Sequence, residues 1–232
     1  MKKTFKFMVV AAVLAFAANS SLMAQFKFGV KASGNLSNIY VEDSTTTSMK
    51  PGFNIGVMGE YFLNDNISVG AELLLSMQGA KETSEGTTLG KDWKNTSSIT
   101  TNNINLPIMI RYYFGGLAVE LGPQIGFCFG GNFKNKKESD GNTDETTTAF
   151  SKWEDDYYKN VDDSYKMWNR LNIGGAIGVS YNMPMGLFFG ARYTYDFTNL
   201  FNTIKMDGLT STKCESRKSN QGVISVSVGY KF

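Results

Sequence analysis

Glu60, Glu72, Arg111, Glu120, Arg192 and Asp196 are the residues whose types and spacing could most readily do chemistry. Paired carboxylates can move protons, and carboxylates facing guanidinium groups can build an ion network or line a polar path. A second group lies in the run Trp153-Glu154-Asp155-Asp156-Tyr157-Tyr158. There Trp153, Asp155, Asp156, Tyr157 and Tyr158 are candidates for contact with a protein partner, since surface aromatics make good anchors, or for looser binding of a divalent cation. Just before them, Asp140-Gly141-Asn142-Thr143-Asp144 begins like a calcium loop. Glu145 then stands at the sixth position, where the turn needs Gly, and Ser151 at the twelfth, where a bidentate Glu is required, so EF-hand binding is not expected. Cys128 and Cys214 lie 86 positions apart (214 − 128), too far for a CxxC site, and are candidates for a disulfide.

The chain has no histidine. Ser-His-Asp and Cys-His nucleophile systems, HExxH zinc sites and histidine pH switches are therefore excluded. No catalytic residue, resident metal or cofactor is expected, and the chain does not read as an enzyme. Its 232 residues, 42% hydrophobic and 19% charged, suit one domain.

Residues 1–24 read as a secretory signal peptide. Lys2 and Lys3 form the basic start, Met8 to Ala18 is an unbroken apolar run, and Leu22-Met23-Ala24 offers a small residue before Gln25. Eleven apolar residues are too few for a spanning helix, which needs about 20. Removing Lys2, Lys3 and Lys6 leaves 20 basic and 21 acidic residues, a net of −1, and no electrostatic case for nucleic acid.

The remaining chain, 25–232, must position these groups on strands. Segments 26–33, 53–61, 67–78, 103–114, 117–129, 171–181, 187–197 and 224–232 alternate apolar with polar or small residues. One parity carries no charge in any of them, and it is large and aromatic. The other carries every charge and most of the glycines. Connections 64–66, 115–116 and 182–186 are tight, whereas 38–51, 79–101, 131–169 and 199–221 are long and polar. Short turns at one end and long loops at the other are the pattern of outer-membrane barrels. The expected fold is all-β, an eight-stranded antiparallel up-and-down transmembrane β-barrel with its apolar parity facing lipid. Lipid offers the backbone no hydrogen-bond partner, so such a sheet must close.

On that fold the six charged residues point inward, into a lumen just wide enough for side chains, where charges must pair. A structural ion network is expected there, with a gated or permeation role as its alternative. Gly56, Gly70, Gly122, Gly126, Gly174, Gly178 and Gly190 share that face and leave space for the Arg and Glu side chains. Tyr61, Tyr112, Phe114, Tyr181, Tyr230 and Phe232 near the short turns, and Phe127, Phe129, Tyr195 and Phe197 near the long loops, make two interfacial girdles.

The segments FGVKASGNLSNI, GFNIGVMGEYFLNDNISVGAELLLSMQGAK, NINLPIMIRYYF, VELGPQIGF and GLFFGARYTYDFTNL resemble the outer membrane β-barrel domain of Bacteroidota often called PorT-like. In form this is a small barrel similar to OmpX and OmpA. The resemblance covers nearly all of 25–232 and implies integral residence in the outer membrane, among lipid and lipopolysaccharide. The aromatic end Val226 to Phe232 resembles the signal read by the barrel-insertion machinery. The expected role is a non-enzymatic scaffold displaying long surface loops for interaction or adhesion. Two alternatives stand beside it: an accessory of protein secretion, which the PorT resemblance implies, and a narrow solute or ion channel.

Overall fold

The computed structural model describes residues 25–41, 47–88, 91–139, 142–150, 169–199 and 219–232. The described residues form nine strands: β1 (Phe26–Val41), β2 (Thr47–Phe62), β3 (Ile67–Thr88), β4 (Lys91–Phe114), β5 (Leu117–Ser139), β6 (Asn142–Ala149), β7 (Leu171–Asn182), β8 (Leu187–Asp196) and β9 (Ser219–Lys231). They join in the order β4-β3-β2-β1-β9-β8-β7-β5-β6, every pair antiparallel, and β4 also pairs β5. That last pairing closes eight strands into a ring. β6 stands outside it, hydrogen-bonded to the far half of β5.

The register fixes the tilt. Phe26 pairs Tyr61, then Val69, Ile110, Leu121, Ile177, Tyr193, Ile224 and finally Leu36, all on the outward face. One circuit thus returns to β1 ten residues further on (36 − 26). A stagger of ten over eight strands goes with strands inclined by roughly 35–45° to the barrel axis. Residues at one level are consequently offset from their register partners by a little over one position per strand.

Burial shows which face meets which medium. Leu121 is 62% and Val226 67% exposed, as are the other large apolar residues of that parity, while Glu72 and Arg111 on the opposite parity are buried at 1% and 2%. A soluble protein of this composition would do the reverse, because apolar groups leave water and isolated charges avoid desolvation. The closed ring with greasy outside and ionic inside is a barrel built for lipid. No helix among the described residues is long and apolar enough to cross a membrane; crossing is by strands. The girdle aromatics lie on the outside, several in ring contact, among them Tyr112 with Phe114 at 4.5 Å and Tyr230 with Phe232 at 5.2 Å between centroids.

The inner turns are tight as expected. In the β4–β5 turn Gly115 takes φ 64°, the left-handed value that a two-residue hairpin requires at its first central position. In the β2–β3 turn Asn64 Oδ1 accepts from the backbone N–H groups of Asn66 and Ile67, at 2.9 and 2.8 Å.

The outer segments differ from expectation. Stretches 79–101 and 131–149, read from sequence as loops, are largely strand: β3 and β4 run on as a hairpin to Thr88 and Lys91, and β5 turns back as β6. Above the apolar band they form a four-stranded polar sheet. Thr, Ser, Asn and Lys residues stand on both of its faces, so no apolar periodicity marks it, and Phe133 packs on Phe150 at 4.7 Å between centroids. Cross-strand ion pairs Lys94–Glu85 (2.5 Å) and Lys134–Glu145 (2.7 Å) decorate it. The hydrogen bond with Glu85 raises the Lys94 pKa, and Lys136 holds the Glu138 carboxyl below its usual range by the same means. The calcium-like run falls mostly in β6. Successive side chains of a strand point to opposite faces, which cannot wrap one ion.

Candidate functional site

The lumen is the one place where the described charged residues are brought together out of water. Glu72, in the first third of β3, is the hub. Its Oε1 accepts from Arg111 Nη2 at 2.5 Å and Arg192 Nη2 at 2.7 Å, and its Oε2 from Arg192 Nη1 at 2.8 Å and Lys31 Nζ at 3.2 Å. Glu120 bridges the same two arginines, taking Arg192 Nε on Oε1 at 2.7 Å and Arg111 Nε on Oε2 at 3.0 Å. Toward the short turns, Glu60 accepts from Ser68 Oγ and Tyr113 O–H and pairs with Lys231 Nζ at 2.8 Å; Arg111 Nη1 lies 3.7 Å away. Lys231 also donates to Asn182 Oδ1 at 2.8 Å. Lys31, Glu60, Glu72, Arg111, Glu120, Asn182, Arg192 and Lys231 come one each from the eight strands of the ring. The network therefore ties every strand to its neighbours across the lumen.

Local sequence explains why it fits. Glycines face the longest side chains: a Cβ at position 178 would lie 2.8 Å from Glu120 Oε1, and one at position 70 would collide with Arg111 Nη1. Met58, Leu74 and Met109 are buried on the same face, so the network is partly packed in apolar groups. Four cations (Lys31, Arg111, Arg192, Lys231) face three carboxylates, which leaves the plug with one net positive charge if all are ionised.

Of the six inward charges read from sequence, Glu60, Glu72, Arg111, Glu120 and Arg192 meet in this network. Asp196 does not: it is buried, but it has no ion pair with a described residue. The sequence reading missed Lys31 and Lys231. Both lie on the charged parity of their strands, and parity was the available signal. Cys128 is buried, its thiol 3.5 Å from the Gly130 carbonyl oxygen; Cys214 lies outside the described residues. Trp153, Asp155, Asp156, Tyr157 and Tyr158 also lie outside them. Among the described residues no group of three His, Cys, Asp or Glu side chains could hold a metal ion.

Closure, inverted burial and an ion-paired lumen agree with the family comparison, in which a model described as outer membrane protein beta-barrel domain matches residues 16–202. The chain belongs to this outer membrane β-barrel domain family. As such a barrel it is an integral protein of the outer membrane, lying in lipid and lipopolysaccharide. No curated protein matches its sequence. Among solved structures, the barrel is similar to Ail, the attachment invasion locus protein of Yersinia pestis, at 14% identity and a TM-score of 0.41, covering 90% of this chain and 99% of that one. It is similar to OprG from Pseudomonas aeruginosa at 14% identity and 0.39, covering 90% and 96%. Outer membrane protein W of E. coli gives 18% identity and 0.36, covering 90% and 97%.

Proposed function

We propose that this family member is a non-enzymatic membrane scaffold that acts through its outer sheet rather than through its lumen. The observation that carries the reading is the ion network to which all eight ring strands contribute. Ion-paired side chains fill the inner half of a barrel that is narrow to begin with, which supports a lumen closed to solutes. The strands, by contrast, continue well past the apolar band and present a hydrogen-bonded polar sheet, β3 to β6, with β6 at its edge. A surface that is both extended and pre-ordered suits adhesion or assembly, because little chain entropy is lost on contact.

The test replaces 81–98 and 133–148 by two-residue Asn-Gly turns. The shortened barrel is expected to insert and to keep its heat-modifiable gel mobility, while cell adhesion or partner capture falls to the level of a deletion strain. Planar bilayers holding the intact protein should show no conductance above the lipid baseline. Steady conductance that changes on Glu72→Gln would favour the channel reading instead. The PorT-like segments support a second reading, an accessory of protein secretion in Bacteroidota; a deletion strain that loses secreted proteins but still adheres would select it. Residues 1–24, which lie outside those described, serve on this reading as a cleaved export signal, and N-terminal sequencing of the mature protein is expected to begin at Gln25.

A further inference from the structure

Above the ion network the lumen changes character. On the β1–β4 wall the polar side chains bond one another and leave single acceptors over, Asn35 Oδ1 and Asn103 Oδ1: Asn35 donates to Asn54 Oδ1 at 2.7 Å, Gln78 to Ser76 Oγ at 2.7 Å, and Asn103 to Gln78 Oε1 at 3.3 Å. On the β7–β9 wall the side chains at this level do not bond one another. Asn172 Oδ1, Asp196 Oδ1 and both polar atoms of Gln221 are buried with no hydrogen-bond partner among the described residues. Asp196 is 5%, Gln221 2% and Asn172 5% exposed. The stagger of the ring puts these residues at one level, and in an eight-stranded barrel inward side chains of one level converge.

We propose that this level, on the wall formed by the neighbouring strands β7, β8 and β9, is a binding site for a small hard cation, with Asp196 as its charged ligand and the amide oxygens of Asn172 and Gln221 as neutral ones. Asp196 needs a positive partner, because a lone carboxylate out of water is costly. The base nearest to it on its own strand, Arg192, is already engaged by Glu72 and Glu120. Gly174 makes room for the carboxylate: a Cβ there would lie 2.6 Å from Asp196 Oδ1. The orphaned atoms are almost all oxygen acceptors, a set that calls for a cation rather than an anion or an apolar solute. Oxygen-only donors select hard ions over zinc or copper. A single carboxylate makes the site weak, with a Kd for calcium of about 10⁻³ M or above. The ion network lies beneath, so the ion enters from the outer face.

The experiment is isothermal titration of the full mature protein, refolded in detergent micelles, with CaCl2 and separately with NaCl, tetramethylammonium chloride holding the ionic strength. Saturable uptake of one ion per barrel is expected. Saturation by calcium alone identifies a divalent site, and saturation by both salts a hard-cation site without charge selection. Asp196→Asn, folded by gel mobility, should weaken uptake by about tenfold or more, since its only charge is gone. Gln221→Leu keeps that charge and should weaken uptake several-fold, which keeps the test decisive if Asp196→Asn does not fold. No saturable uptake by the wild-type barrel, or uptake that neither variant alters, overturns the proposal.

Discussion

Glu72→Gln is expected to destabilise the barrel by about 3–5 kcal/mol, the range for removing one partner of a buried ion cluster. Both carboxylate oxygens are in use, holding Arg111, Arg192 and Lys31. Glutamine keeps the shape and one acceptor but leaves four cations facing two carboxylates. Reversible guanidinium unfolding in lipid vesicles, followed by tryptophan fluorescence, measures the loss. Because the three bases share one acid, Glu72→Gln combined with Arg192→Gln should cost less than the two single changes added together. A single-variant loss below about 1 kcal/mol would mean that the network is hydrated and loosely held, as exposed ion pairs are.

The second large effect lies on the other side of the wall. Val226→Arg is expected to cost about 2–4 kcal/mol, the depth-dependent penalty for a guanidinium on the lipid face of a barrel near the midplane. Val226 sits mid-strand on β9, 67% exposed among apolar neighbours. Its chain neighbour Ser225 faces the lumen, where its hydroxyl is 3.4 Å from the Arg192 carbonyl oxygen. Ser225→Ala removes only that long hydrogen bond and should cost about 1 kcal/mol or less. The contrast between adjacent positions is the discriminating result. If Val226→Arg were as mild as Ser225→Ala, the exposed face would be in water rather than in hydrocarbon.

The strands, their inward and outward faces and the girdles were legible in the sequence for one reason. A lipid-facing barrel wall must alternate apolar with polar at a period of two, and Ile177, Tyr193 and Val226 keep that period without a charge among them. The tight turns were legible too, because Gly115 and Asn64 are chemically suited to them. The outer sheet was not. Thr83, Ser84, Asn95 and Thr96 are polar on both faces of the strand, so pairing there follows from the strands below continuing their register, and no hydrophobic pattern records it.

Membership of the ion network was half legible. Parity placed Glu60, Glu72, Arg111, Glu120 and Arg192 inside, but parity says nothing of height. Lys31 and Lys231 share that parity, but which carboxylate a lysine reaches depends on the level of its strand, and the sequence does not record it. Asp196 was grouped with the others because it shares the face of Arg192. The sequence by itself determined which side of each strand meets lipid, because the alternation of side chains is a local property of the backbone. The tertiary structure decided which inward charges touch and which oxygen atoms stay unpartnered. Those depend on a stagger of ten residues around the ring, and that stagger is set by closure of all eight strands together.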